Sequence, residues 1–124
     1  MDYNKINKQN IEKWENALEY ITRKLKENNI PYYLSASGLH YIQGSKIYPY
    51  DIDVFTSKEN VKKAYEILKG YKTSNLHYCE EEKGKLLEFQ GIYNDIPFEV
   101  CEWEREPKEI KFVEFKNIII DILK

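Results

Sequence analysis

The chain has 124 residues and a formal net charge of −2, with acidic and basic residues interleaved. That length allows one packed core and one domain, residues 1–124, and the charge excludes nucleic-acid binding through a general electrostatic footprint. Two cysteines, Cys79 and Cys101, make no disulfide framework; no apolar run is long enough to cross a bilayer, and the polar start Met1-Asp-Tyr-Asn-Lys has no signal-peptide core, so a reduced cytoplasmic setting and no membrane partner are expected.

Residues 1–9 are polar and read as frayed or as an extension of the first helix. From Asn10 to Asn28 the pattern is helical: Ile11, Trp14, Leu18, Ile21 and Leu25 recur at intervals of three and four, with Ala17 on the same side. Asn7 or Asn10 is placed to cap the start, and Ile30-Pro31 stops the helix. Ile30 to Leu34 is a short β-rich run that leads into the small-residue turn Ser35-Ala-Ser-Gly38. Leu39 to Gln43 reads as a short helix ending at Gly44, and Asp51 to Phe55 as a strand. A second clear helix runs from Ser57, its predicted N-cap, to Gly70, with Val61, Ala64, Tyr65 and Leu68 on the apolar side. Beyond it the chain is strand-rich: Leu76–Glu81 and Leu86–Tyr93 flank a predicted turn at Glu82-Lys-Gly84, Asn94-Asp95 is another turn, and Ile96–Trp103 and Ile110–Phe115 are strands. Asn117 to Lys124 reads as a short terminal helix. The class is mixed α/β or α+β, one mixed sheet with helices packed on one side.

Asp51 and Asp53 are two residues apart on the predicted strand, so both carboxylates point to one face while Ile52 and Val54 point into a core. Two like charges side by side are costly without a cation between them, and magnesium prefers carboxylate oxygen. In Ile96–Trp103, Glu99 and Cys101 share a face opposite Phe98 and Val100. If that strand lies beside Asp51–Phe55, Glu99 completes a carboxylate cage suited to two magnesium ions, with manganese as a substitute. Glu88 and Glu102 are rivals. Glu102 alternates onto the face of Phe98 and Val100, and Glu88 belongs to a strand one place further out. Ser37 and Gly38 in the turn offer a hydroxyl and backbone N–H groups to phosphate, and Lys46 a positive charge. His77, Cys79 and Cys101 match no common zinc spacing. Tyr32, Tyr33, Tyr41, Tyr48 and Tyr50 cluster around the site, where they either stack on a base or fill the edge of the core.

These residues resemble the polymerase-beta-like nucleotidyltransferase superfamily, above all its minimal single-domain members. The signature there is Gly followed by Gly or Ser, a loop, and Asp-hydrophobic-Asp/Glu-hydrophobic. Ala36-Ser37 stands at the Gly pair, Gly44 at a glycine before the loop, and Asp51-Ile52-Asp53-Val54 at the acidic pair, with Ala36 and Ile47 as departures. The resemblance spans residues 10 to 103. It implies transfer of NMP from an NTP such as ATP to an acceptor hydroxyl, with Asp51, Asp53 and Glu99 catalytic and metal-binding, and Ser37, Gly38 and Lys46 nucleotide-binding. The acceptor, whether small molecule, RNA or protein, is left open, and a partner protein or homodimer is expected to complete the site. The departures motivate an alternative: an inactive module of the same fold, for example in a toxin–antitoxin pair. A metal-dependent nuclease is a third reading.

Overall fold

Helix α1, Ile11–Glu27, buries Trp14, Ala17, Leu18, Ile21 and Leu25, the apolar stripe expected from their spacing. Leu18, Ile21 and Leu25 each contribute about 1.5–3 kcal/mol on burial. The structure is a computed structural model and describes residues 5–81 and 84–124. The predicted frayed start at residues 1–4 and the predicted turn at Glu82-Lys83 lie outside the described residues. Asn10 occupies the N-cap position without capping through its side chain; its Oδ1 accepts instead from the Asn7 N–H (2.6 Å).

The remaining elements are β1 (Tyr33–Ser35), α2 (Ala36–Ile42), β2 (Ile52–Thr56), α3 (Lys58–Ile67), β3 (His77–Glu81), β4 (Gly84–Tyr93), β5 (Ile96–Glu102), β6 (Ile110–Phe115) and β7 (Ile118–Leu123). Among the described residues the strands form one mixed sheet in the order β3-β4-β5-β2-β1-β7-β6. Strand β2 pairs antiparallel with β1 and parallel with β5, and β1 pairs parallel with β7. Leu34, Ile52, Val54, Phe89, Phe98 and Val100 are buried in one cluster with the apolar sides of α1 and α3, so these helices cover one face of the sheet. Ser57 caps α3 as expected, its Oγ accepting from the Asn60 N–H (3.2 Å). No helix among the described residues is long and apolar enough to cross a membrane.

The structure corrects one element and several boundaries, of which three bear on the site. Asp51 lies one residue ahead of β2, in a bend. The first strand begins at Tyr33, not Ile30. Helix α2 starts at Ala36 rather than Leu39, because Ser35 is still extended and Ala36 turns the chain at once with φ +59°. That left-handed conformation is one an L-residue adopts at a cost and glycine adopts freely. The predicted terminal helix is strand β7. Lys116 and Asn117 both have positive φ, which closes a two-residue hairpin with β6, and Ile120 and Ile122 alternate into the core.

Candidate active site

The site is assembled on the sheet face that α1 and α3 leave uncovered. The Trp14 indole N–H donates to the Asp51 carbonyl oxygen (3.0 Å), tying the bend before β2 to the first turn of α1. From there the alternation of β2 sends Ile52, Val54 and Thr56 into the core and leaves Asp53 and Phe55, half-buried, on the open face. Register does the rest. Asp53 lies directly beside Glu99 of β5, Glu99 beside Gln90 of β4, and Ser35 of β1 beside Asp53. The next row holds Tyr33, Phe55, Cys101, Glu88 and His77. The structure therefore places Asp53 beside Glu99 on the strand neighbouring β2, with Asp51 in hydrogen-bonding reach of Asp53; among the described residues the ligand atoms that converge are those of another set.

It also brings in Glu88, which the sequence ranks only as a rival. Glu88 is buried, and its carboxylate, that of Glu99 and the Cys101 thiol have ligand atoms within 4.8 Å of one another. His77 Nε2 lies 3.3 Å from Glu88 Oε1. Glu102, the other rival, is used elsewhere: its Oε1 accepts from the Leu87 N–H (2.9 Å).

The electrostatics follow from crowding. Burial pushes Asp53 up to about 7, helped by the charge and hydrogen bond of Asp51 and the charge of Glu88. Burial likewise raises Asp51, against a hydrogen bond from Asp53. Glu99 is pushed up to about 8, first by burial, then by its hydrogen bond to Glu88 and by the charges of Glu88 and Asp53, while Gln90 opposes. Burial raises Glu88 too, but hydrogen bonds from Glu99, Cys79 and His77 outweigh it and hold Glu88 low. The face thus holds two proton-sharing carboxyl pairs, Asp53 with Asp51 and Glu99 with Glu88. A bound cation would favour the ionised form of both pairs and lower the pH at which they lose those protons. Carboxylate oxygens at Asp51, Asp53 and Glu99 match the hard-donor preference of magnesium.

The expected phosphate turn is less open. Ser37 Oγ accepts from the Tyr50 N–H (3.0 Å) and lines a cavity of about 290 Å³ with Ala36, His40 and Tyr48. Gly38 is buried, and a Cβ there would sit 3.1 Å from Trp14 Cζ2, so the missing side chain makes room for the indole. Lys46 is exposed and lies by Lys5 and Tyr50 in a neighbouring hollow.

No protein-family model and no curated protein matches the sequence. Solved structures do. A Thermotoga maritima protein provisionally named a nucleotidyltransferase superposes with a TM-score of 0.77 at 19% identity, covering 98% of this chain and 81% of that one. An antigenic nucleotidyltransferase-like protein from Paracoccidioides brasiliensis gives a TM-score of 0.50 at 13% identity, over 91% of this chain and 61% of that one. The mixed sheet and its helices are accordingly those of a nucleotidyltransferase-like fold.

Proposed function

We propose that the chain is a magnesium-dependent nucleotidyltransferase that moves NMP from an NTP to an acceptor hydroxyl. The observation that carries this reading is the placement of Asp53 directly beside Glu99, with Asp51 hydrogen-bonded to Asp53, on an open sheet face. Asp51, Asp53 and Glu99 would hold magnesium, or manganese in its place, which when bound polarises phosphoryl oxygens and makes a hydroxyl a better nucleophile. Ser37 keeps its O–H to donate to a phosphate oxygen, since its oxygen is the atom that accepts from Tyr50. Gly38 sets the backbone of that turn, and Lys46 supplies positive charge from the following loop. Titration calorimetry with NTP and magnesium tests the reading. Wild type should bind, and the Asp51→Asn/Asp53→Asn variant should give no measurable heat; equal binding by both, or by neither, sinks it.

One observation favours the alternative, an inactive module of the same fold. Ile47 and Tyr50 are 68% and 69% exposed beside the turn, an apolar patch fit for a protein partner, and Ala36 carries a methyl group where the signature has glycine. A module of this kind forms no product with any labelled NTP and retains a partner from its native host.

A further inference from the structure

We infer that the chain carries a zinc site whose donors are His77 Nε2, the Cys101 thiol and the carboxylates of Glu88 and Glu99. The site goes beyond the nucleotidyltransferase reading: neither Asp51 nor Asp53 takes part, and Glu99 alone is common to both sets. Register assembles the donors where sequence spacing does not. His77 of β3 lies opposite Glu88 of β4, and Glu88 opposite Cys101 of β5, so the three share one row and one face. Glu99 points to that face two residues before Cys101. Neighbouring strands are about 4.8 Å apart, so the imidazole and the thiol reach inwards from either side of Glu88. Glu88, Glu99 and Cys101 have ligand atoms within 4.8 Å of one another. Glu88 and Cys101 are each 7% exposed, whereas the His77 side chain is 42% exposed and leaves a way in from the sheet edge.

The imidazole points to a cation. Its Nδ1 lies 2.9 Å from the Asn75 carbonyl oxygen, which can only accept, so Nδ1 carries the proton. In the neutral ring Nε2 then has a lone pair, and it faces Glu88 Oε1, another acceptor, at 3.3 Å. Two acceptors hold that position only around something positive. A proton would draw them to about 2.7–2.9 Å. Tetrahedral zinc, with arms of about 2.0 Å to nitrogen and oxygen, sets them about 3.3 Å apart. A ring fixed through its other nitrogen to a backbone carbonyl is also how metal-binding histidines are oriented.

Donor chemistry narrows the metal. Thiolate and imidazole beside carboxylate suit zinc, whereas magnesium takes oxygen alone. Among the described residues no lysine or arginine forms an ion pair with Glu88 or Glu99, so His77 is the one charged partner a side chain supplies. As the metal enters, the thiol proton and the proton in the Glu99–Glu88 hydrogen bond leave to solvent. The bound ion then ties β3, the edge of the sheet, to β4 and β5.

Cobalt and zinc titrations of metal-stripped protein test this. Wild type should take up one equivalent of cobalt, with the near-ultraviolet absorption of a thiolate–cobalt bond and the strong visible bands of a tetrahedral ion. One equivalent of zinc should bleach both. Cys101→Ser should abolish the near-ultraviolet band. His77→Gln, at an exposed position clear of the core, should weaken zinc binding roughly tenfold or more. Asp51→Asn/Asp53→Asn should bind zinc about as tightly as wild type. In hydrogen exchange, zinc should slow the β3 amides of wild type and leave those of His77→Gln unchanged. The inference is overturned if no thiolate band forms, or if Cys101→Ser keeps it, which would put Cys79 in that place. It is equally overturned if the aspartate variant loses zinc while His77→Gln retains it, which would mean that zinc enters only the site proposed for magnesium. Absence of NTP–magnesium binding by wild type removes the earlier reading and leaves these outcomes to decide this one.

Discussion

Trp14 links core and site through one hydrogen bond. Its ring is fully buried, and its N–H holds the carbonyl of Asp51, whose carboxylate meets Asp53. Trp14→Phe keeps most of the apolar burial and loses that bond, at a cost of about 1 kcal/mol in stability. The larger effect should fall on the site: magnesium affinity, measured by titration, should drop roughly tenfold as the bend before β2 loosens. Unchanged affinity would show that the bend is held by other contacts. The pairing of Asp51 with Asp53 was posed from strand alternation, although Asp51 lies in the bend one residue ahead of β2 and is held there by the Trp14 bond. The role of Gly38 was not legible in the sequence. It looks like a residue that lets phosphate approach, and only packing shows that it faces the indole.

Between elements, the two-residue turn at Asn94-Asp95 sets more of the site than its own sequence suggests. Both residues have positive φ, and the turn locks Tyr93 opposite Ile96, which places Gln90 beside Glu99 and Glu88 beside Cys101. That register could be counted from the turn outwards; the sequence reading put Glu88 on the correct strand, one place further out, and counting across the turn would also have set it beside Cys101. The neighbourhood of β2 and β5 was different. Parallel strands have no turn between them to count from, and the pairing of Asp53 with Glu99 could be posed only as a condition. The terminal strand was missed because three consecutive isoleucines match no single period by themselves; the turn at Lys116-Asn117 decides it. On β4, Gly91 leaves no room for a side chain: a Cβ would come within 2.3 Å of Phe98 Cζ and 2.5 Å of the Tyr71 carbonyl oxygen. Gly91→Ala should cost roughly 2–3 kcal/mol by overpacking, read from denaturant unfolding. A change under about 0.5 kcal/mol would mean that β4 yields there.

For the molecule as a whole, the crowded carboxylates tie stability to pH. Asp53 and Glu99 titrate near 7 and 8 in the folded chain and near 4 once unfolded. Between those limits the folded state binds more protons, so stability is fullest in acid and is lost as pH rises through about 8. The melting temperature without metal should therefore fall from pH 5.5 to pH 8.5. Magnesium at a hundred times its dissociation constant returns about 2.7 kcal/mol, several degrees. At one fixed magnesium concentration the gain should be larger at pH 8.5 than at pH 5.5, because fewer protons have to be displaced and the affinity is higher. Scanning fluorimetry with and without magnesium at both values checks it, and a flat profile would contradict the shared-proton account.

Strand β1 pairs with β2 on one side and, through Leu34 and Ile122, with β7 on the other. During synthesis its second neighbour cannot arrive until residue 122 has been made, long after the helices and the β2 strand have left the ribosome. For that interval the growing polypeptide carries an open backbone edge in the middle of its future sheet. At three residues β1 is too short to be much of a template for another chain, so its brevity guards the nascent protein against pairing with its neighbours on a polysome.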